Sequence, residues 1–158
     1  MLEVIGEGAF GLCWLARCEE GFHSGEKVAI KILDLEQFKT TSVDLIRKEI
    51  TVMANSKHKN IVSAFISFVN WKYLWVVMPI IDAGSLIDVM KVVRPTNMPG
   101  VQDEAIIATV MKETLEALVY MHSNKQMHRD IKAANILLDR QGHVFLSDYG
   151  VSASMKKG

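Results

Sequence analysis

Met127-His128-Arg129-Asp130-Ile131-Lys132-Ala133-Ala134-Asn135-Ile136-Leu137-Leu138 is the stretch from which the rest of the chain is read. Five polar or charged side chains, His128, Arg129, Asp130, Lys132 and Asn135, interrupt a run that otherwise has the composition of a core. Burying such groups unpaired is costly, so they must pair with one another or with a ligand. An aspartate, a lysine two residues on and an asparagine five residues on are the parts that phosphoryl transfer requires. The carboxylate orients or accepts the proton of an attacking hydroxyl, the ammonium neutralises charge on the moving phosphoryl group, and the amide holds Mg²⁺.

On the C-terminal side, Asp139-Arg140-Gln141-Gly142-His143 reads as a turn between strands. Val144-Phe145-Leu146-Ser147 then presents Asp148-Tyr149-Gly150 at a strand end, where Asp148 is placed to coordinate Mg²⁺. Standing alone, those three residues would read as a loop turn. On the N-terminal side, Asp103 or a neighbour caps a long helix. Its inner stripe is Ile107, Val110, Met111, Thr114, Leu118 and Met121, with the methionines taken as core, and it ends near Ser123-Asn124.

Further out, residues 2–5 and 12–16 form short strand patterns around Gly6-Glu7-Gly8-Ala9-Phe10-Gly11. This is G-x-G-x-x-G, but no helix pattern follows, so a βαβ dinucleotide fingerprint does not fit. The spacing alone leaves a bare hairpin turn open. Glycines there also let backbone N–H groups approach nucleotide phosphates. In residues 27–33, alternation puts Ala29, Lys31 and Leu33 on one face, so Lys31 has apolar neighbours and needs a counter-charge. Thr41-x-x-Asp44 starts a helix to about Asn55 with the stripe Ile46, Ile50 and Met53. Glu49 falls on that stripe, unusual for a glutamate unless it is paired.

The chain has 158 residues, no net charge at pH 7 and 49% hydrophobic residues, enough for one domain with a real core. Balanced charge gives no reason to expect nucleic acid or an anionic membrane surface as partner. Cys13 and Cys18 have no metal-ligand spacing and no disulfide framework. No signal peptide or membrane-spanning run is visible, which points to a cytoplasmic domain.

These motifs resemble those of the eukaryotic protein kinases. His128-Arg129-Asp130-Ile131-Lys132-Ala133-Ala134-Asn135 matches the catalytic loop H-R-D-x-K-x-x-N, and Val28-Ala29-Ile30-Lys31 matches the V-A-I-K strand. The resemblance implies an α+β, two-lobed kinase fold: an N-lobe over residues 1–78, a hinge over 79–84 and the start of a C-lobe over 85–158. It implies ATP and Mg²⁺ as cofactors. Asp130, Lys132, Lys31 and Glu49 become catalytic, with Lys31 and Glu49 as the strand-to-helix ion pair, and Asn135 and Asp148 become the metal ligands. ATP would lie against Ile5, Gly6, Gly8, Phe10, Gly11, Cys13, Ala29, Lys31, Met78, Pro79, Ile81, Ser85 and Leu137. Phe10 caps the loop tip, Met78 stands behind the adenine, and the Pro79 carbonyl and Ile81 N–H meet the base. Cys13 replaces the usual valine and leaves a thiol able to react with an electrophilic ligand. Lys59 replaces the proline of H-P-N-I-V, and Tyr149 replaces the phenylalanine of Asp-Phe-Gly.

Lys132 follows the serine/threonine pattern. Leu74–Met78, Gly84-Ser85-Leu86 and Gly150-Val151-Ser152-Ala153 resemble the sterile-twenty group. Within that group the loop before Asp103 and the run Ile106–Leu118 are most similar to germinal-centre-like kinases of the Fray / oxidative-stress-responsive subgroup. That subgroup acts on protein substrates in stress and ion-transport signalling, under an upstream activating kinase. Both ends read as cut: the later C-lobe helices fall beyond Gly158, so the piece is expected to be inactive or nearly so alone. The alternative is a pseudokinase scaffold that binds nucleotide and partners without catalysis. Such proteins typically lose one of the two aspartates kept here as Asp130 and Asp148. A small-molecule kinase of the same fold is disfavoured by Lys132-x-x-Asn135 and by the run Gly150-Val151-Ser152-Ala153 after Asp148.

Overall fold

The computed structural model describes residues 1–8, 11–21, 23–38, 56–92 and 103–148. Expectations for Phe10, for the Glu49 helix and for Tyr149 onward lie outside the described residues. The chain divides into two units, Met1–Ser56 with Ser63–Ile80, and Lys57–Val62 with Ile81–Gly158.

The described residues of the first unit form a five-stranded antiparallel sheet of β1 (Glu3–Gly8), β2 (Gly11–Arg17), β3 (Lys27–Asp34), β4 (Ile66–Asn70) and β5 (Tyr73–Pro79), in the order β1-β2-β3-β5-β4. The β-branched and aromatic content of 27–34 and 73–79 suits a pleated, half-buried surface. Its register sets Leu15 opposite Ala29 and Ala29 opposite Met78, and Leu33 opposite Leu74. Leu15, Ala29, Leu33, Leu74 and Val76 are buried on that face, and Ala16 and Val28 on the other. The β4–β5 connection is the two-residue turn Trp71-Lys72, with Trp71 at φ 55. β4 begins at Ile66.

Gly11 is required by packing. A Cβ there would stand 1.9 Å from Ile32 O and 3.2 Å from Leu33 Cα, so β3 could not pair at this distance. Glycine at this position therefore serves the sheet as well as any phosphate.

In the second unit, β6 (Gly84–Ser85), β7 (Ile136–Leu138) and β8 (Val144–Leu146) form a small sheet in the order β6-β7-β8. Among the described residues two α-helices accompany it, α1 (Leu86–Val92) and α2 (Glu104–Ser123). Asp103 caps α2, its carboxylate accepting from Ala105 N–H at 2.8 Å and Ile106 N–H at 3.3 Å. The inward stripe differs from the expected one. Val110, Thr114, Ala117 and Met121 are buried, whereas Ile107 and Met111 are exposed. The apolar arc of α2 is wider than one contact face, and packing against β8 selects the side rotated toward Ala117.

The division between units falls between Ile80 and Ile81, within the expected hinge 79–84. Lys57–Val62, read from sequence as part of the first lobe, counts with the second unit because its hydrogen bonds go there. Lys57 N–H donates to Tyr120 Oη at 3.0 Å, and the His58 and Tyr120 rings lie 5.0 Å apart. No helix among the described residues is long and apolar enough to cross a membrane.

Candidate active site

α2 ends at a cap formed by Asn124, Lys125 turns at φ 58, and the chain enters the loop that begins at Met127. His128 is 2% exposed and organises this loop. Asp130 N–H donates to His128 Nδ1 at 3.3 Å, which assigns the proton of the neutral ring to Nε2. That Nε2–H donates to Ser147 O at 2.8 Å. Burial pushes the His128 pKa below its ordinary 6.5, opposed by the Ser147 carbonyl and by the Asp130 and Asp148 carboxylates. The imidazole is thus a neutral strut between the loop and the end of β8.

Asp130 is the centre of the polar cluster. Lys132 Nζ donates to its Oδ2 at 2.8 Å. Asn135, at the end of the 3-10 turn Ala133–Asn135, donates from Nδ2 to Asp130 O at 2.8 Å and to Oδ2 at 3.1 Å. The strand pattern resumes at Ile136, so β7 fixes the back of this turn. A charge-assisted pair and an amide therefore aim the carboxylate jointly.

The structure brings Asn135 and Asp148 together through Ser147. Ser147 N–H and its hydroxyl both donate to Asn135 O, at 2.9 and 3.1 Å. Asp148 follows at φ 61, and Arg129 stands at φ 66. Left-handed backbone is uncommon for residues other than glycine and clusters at functional positions. Ser147 is a site residue that the sequence reading passed over as an ordinary strand residue. Nothing in one serine before an aspartate would have marked it.

The first unit gathers most of the other candidates onto one face of its sheet. Gly6 lies opposite Cys13, Cys13 opposite Lys31, and Lys31 opposite Val76, which makes one cross-strand row. Leu15, Ala29 and Met78 form the neighbouring row on the same face. Alternation had placed Ala29 and Lys31 together, and register adds Cys13 and Met78. Ile5 sits at the β1 irregularity between Val4 and Gly6, Gly8 faces Gly11, and Pro79 ends β5 opposite Val28.

In the second unit, Ile81 O accepts from Gly84 N–H at 3.4 Å, and Leu137 pairs with Ser85 and Phe145. The Ser85 hydroxyl is committed to the start of α1. It donates to Asp88 Oδ2 at 2.5 Å and accepts from Asp88 N–H at 3.3 Å, a capping arrangement. That hydroxyl is the first cause of the lowered Asp88 pKa, followed by the Lys91 ammonium.

The whole chain, residues 1–158, matches the protein kinase domain family. The chain belongs to the protein kinase family. Its relatives are serine/threonine kinases of the sterile-twenty group. It is 44% identical over 153 residues to serine/threonine-protein kinase fray2 of Dictyostelium discoideum, covering 97% of this chain and 14% of that protein. It is 43% identical to germinal center kinase 3 of Caenorhabditis elegans, covering 95% of this chain and 25% of that one. Against human mitogen-activated protein kinase kinase kinase kinase 3 the identity is 41%, with 98% and 16% covered. This kinase chain therefore spans about a quarter or less of the length of those relatives.

The kinase residues suit a magnesium ion. With Asn135 Nδ2 committed to Asp130, the atom that the Asn135 side chain can offer a cation is its amide oxygen Oδ1. Asp148 offers a carboxylate one residue after Ser147, whose N–H is bonded to the Asn135 main-chain carbonyl. Mg²⁺ takes one or two protein oxygens and completes its shell with substrate phosphates and water. A two-residue oxygen set fits that habit.

Proposed function

We propose that this kinase chain carries the ATP-dependent phosphorylation of serine or threonine on protein substrates, within a cytoplasmic stress or signalling cascade under an upstream activating kinase. The single observation that carries the reading is the Asp130 carboxylate held by both Lys132 and Asn135. In the proposed reaction Asp130 orients the substrate hydroxyl and takes its proton, and Lys132 balances charge on the transferring group. Lys31, with Glu49 as its partner, would hold the α- and β-phosphates, and Asn135 and Asp148 would hold Mg²⁺, which neutralises phosphate charge when bound. Gly6, Gly8, Gly11 and Cys13 would cover the phosphates, with Ala29, Met78, Pro79, Ile81 and Leu137 around the base.

For the 158 residues taken alone we expect nucleotide binding with little transfer. Met111, Leu115 and Val119 stand exposed along α2, as they would where further structure packs. Binding is tested by Mg²⁺-dependent stabilisation with ATP. Transfer is tested with a basic protein substrate, where turnover abolished by Asp130→Asn would contradict the expected inactivity while supporting the assigned role of Asp130.

A further inference from the structure

Asp148 is held in a left-handed conformation at φ 61, and such a backbone persists only where its surroundings over-determine it. The two residues before it show what does so. Leu146 N–H donates to Asn60 O at 2.8 Å, and Leu146 O accepts from Val62 N–H at 3.1 Å. Ser147 N–H donates to Asn135 O at 2.9 Å, and Ser147 O accepts from His128 at 2.8 Å. All four main-chain polar groups leading into Asp148 are therefore bonded. Two are held by the catalytic loop and its 3-10 turn. The other two are held by residues 60–62, where Ile61 forms a parallel bridge with Leu146.

That short segment needs an anchor, because a few residues of isolated pairing are marginal. Asn60 supplies it. It is 2% exposed, and its Nδ2 donates to Val144 O at 2.9 Å and to Glu113 Oε2 at 2.5 Å. Glu113 lies on α2, so one amide ties the segment to the strand before Asp148 and to the helix before Asp130. Lys59 adds ion pairs to Glu116 at 2.8 Å and Glu113 at 3.2 Å, but its side chain is 63% exposed, where such pairs contribute little.

We propose that Asn60, held by Glu113, is a positioning residue for metal binding: it fixes residues 60–62 along β8 and so sets the backbone from which Asp148 meets Mg²⁺. The inference rests on the phosphoryl-transfer reading of Asp148. It gives residues 60–62, left without a part in that reading, a defined mechanical one.

The experiment is a Mg²⁺ titration of fluorescent ATP-analogue binding, at fixed nucleotide, for the wild-type chain and for Asn60→Ala, Glu113→Ala and Lys59→Ala. Mg²⁺ binding to nucleotide in solution is common to all four, so differences report the protein. Asn60→Ala is expected to raise the Mg²⁺ midpoint roughly ten-fold, the scale of lost outer-shell support, while saturating Mg²⁺ restores wild-type nucleotide affinity. Glu113→Ala should give a smaller rise and Lys59→Ala none. A wild-type midpoint in Asn60→Ala, even with a lowered melting temperature, overturns the proposal, since that is what a merely structural residue gives. If Asn60→Ala does not melt cooperatively, Glu113→Ala decides: a raised midpoint supports the proposal and an unchanged one overturns it. Failure of the kinase reading would appear instead in the wild type, as nucleotide binding indifferent to Mg²⁺, and would remove both.

Discussion

Asn135 donates one amide nitrogen to Asp130 twice, to the main-chain carbonyl at 2.8 Å and to Oδ2 at 3.1 Å. A single side chain thereby fixes both the loop's backbone and the direction of its carboxylate. The same atom choice turns the Asn135 side-chain oxygen Oδ1 into the group left for a cation, so loop geometry and metal chemistry are joined in one residue.

Asn135→Ala removes both bonds from a residue that is 5% exposed. Loss of these two hydrogen bonds, one of them to a carboxylate, is expected to cost about 1–3 kcal/mol, read as a lowered urea midpoint. Mg²⁺ dependence of nucleotide binding should weaken in the same variant. An unchanged midpoint together with unchanged Mg²⁺ dependence would contradict the described cluster.

The glycines of the β1–β2 hairpin should separate into two kinds. Gly11→Ala drives a methyl into Ile32 O, so a loss of about 1–3 kcal/mol of stability is expected from overpacking. At Gly6 the nearest atom to an added Cβ is Cys13 Cβ at 3.6 Å, an ordinary contact. Gly6→Ala should therefore leave the melt nearly unchanged and act, if at all, on nucleotide affinity. Equal destabilisation by the two substitutions would count against the β2–β3 register.

His128 makes stability depend on pH. Burial lowers its folded-state pKa below 6.5, so below that pH the unfolded chain binds more protons than the folded one. Its favourable contribution is therefore complete above pH 6.5 and is lost progressively as pH falls toward the folded-state value. Urea midpoints from pH 8 to pH 5 should decline for the wild type across this window and decline less for His128→Phe. Parallel curves for the two would show that His128 is not the group responsible.

The parts legible in the sequence were those with a local period or a long motif. Alternation around Lys31 identified the face it shares with Ala29, and Asp103 announced the start of α2 through its own carboxylate. Residues 60–62 were not legible as the partner of Leu146, because a parallel bridge between positions so far apart leaves no pattern in three residues. Ile107 and Met111 were expected inside since period alone cannot say which side of a broad apolar arc meets β8. The Ser85 hydroxyl caps α1 through Asp88, a local partnership that the sequence reading did not include. Among the described residues, polar partnership was the information most often missing from the sequence.

The most direct test of the account is a thermal melt of this chain with and without Mg·ATP, for wild type and Asp148→Asn. Asparagine tolerates left-handed backbone, so the variant keeps the fold while losing the carboxylate. At about 100 times its Kd, a ligand stabilises a folded binder by about 2.7 kcal/mol. The account predicts a cooperative upward shift for the wild type with Mg·ATP, lost on chelation of Mg²⁺ and largely lost in Asp148→Asn. No shift, or a shift of equal size with Mg²⁺ chelated and in Asp148→Asn, would contradict the assignment of Asp148 and with it the proposed nucleotide site.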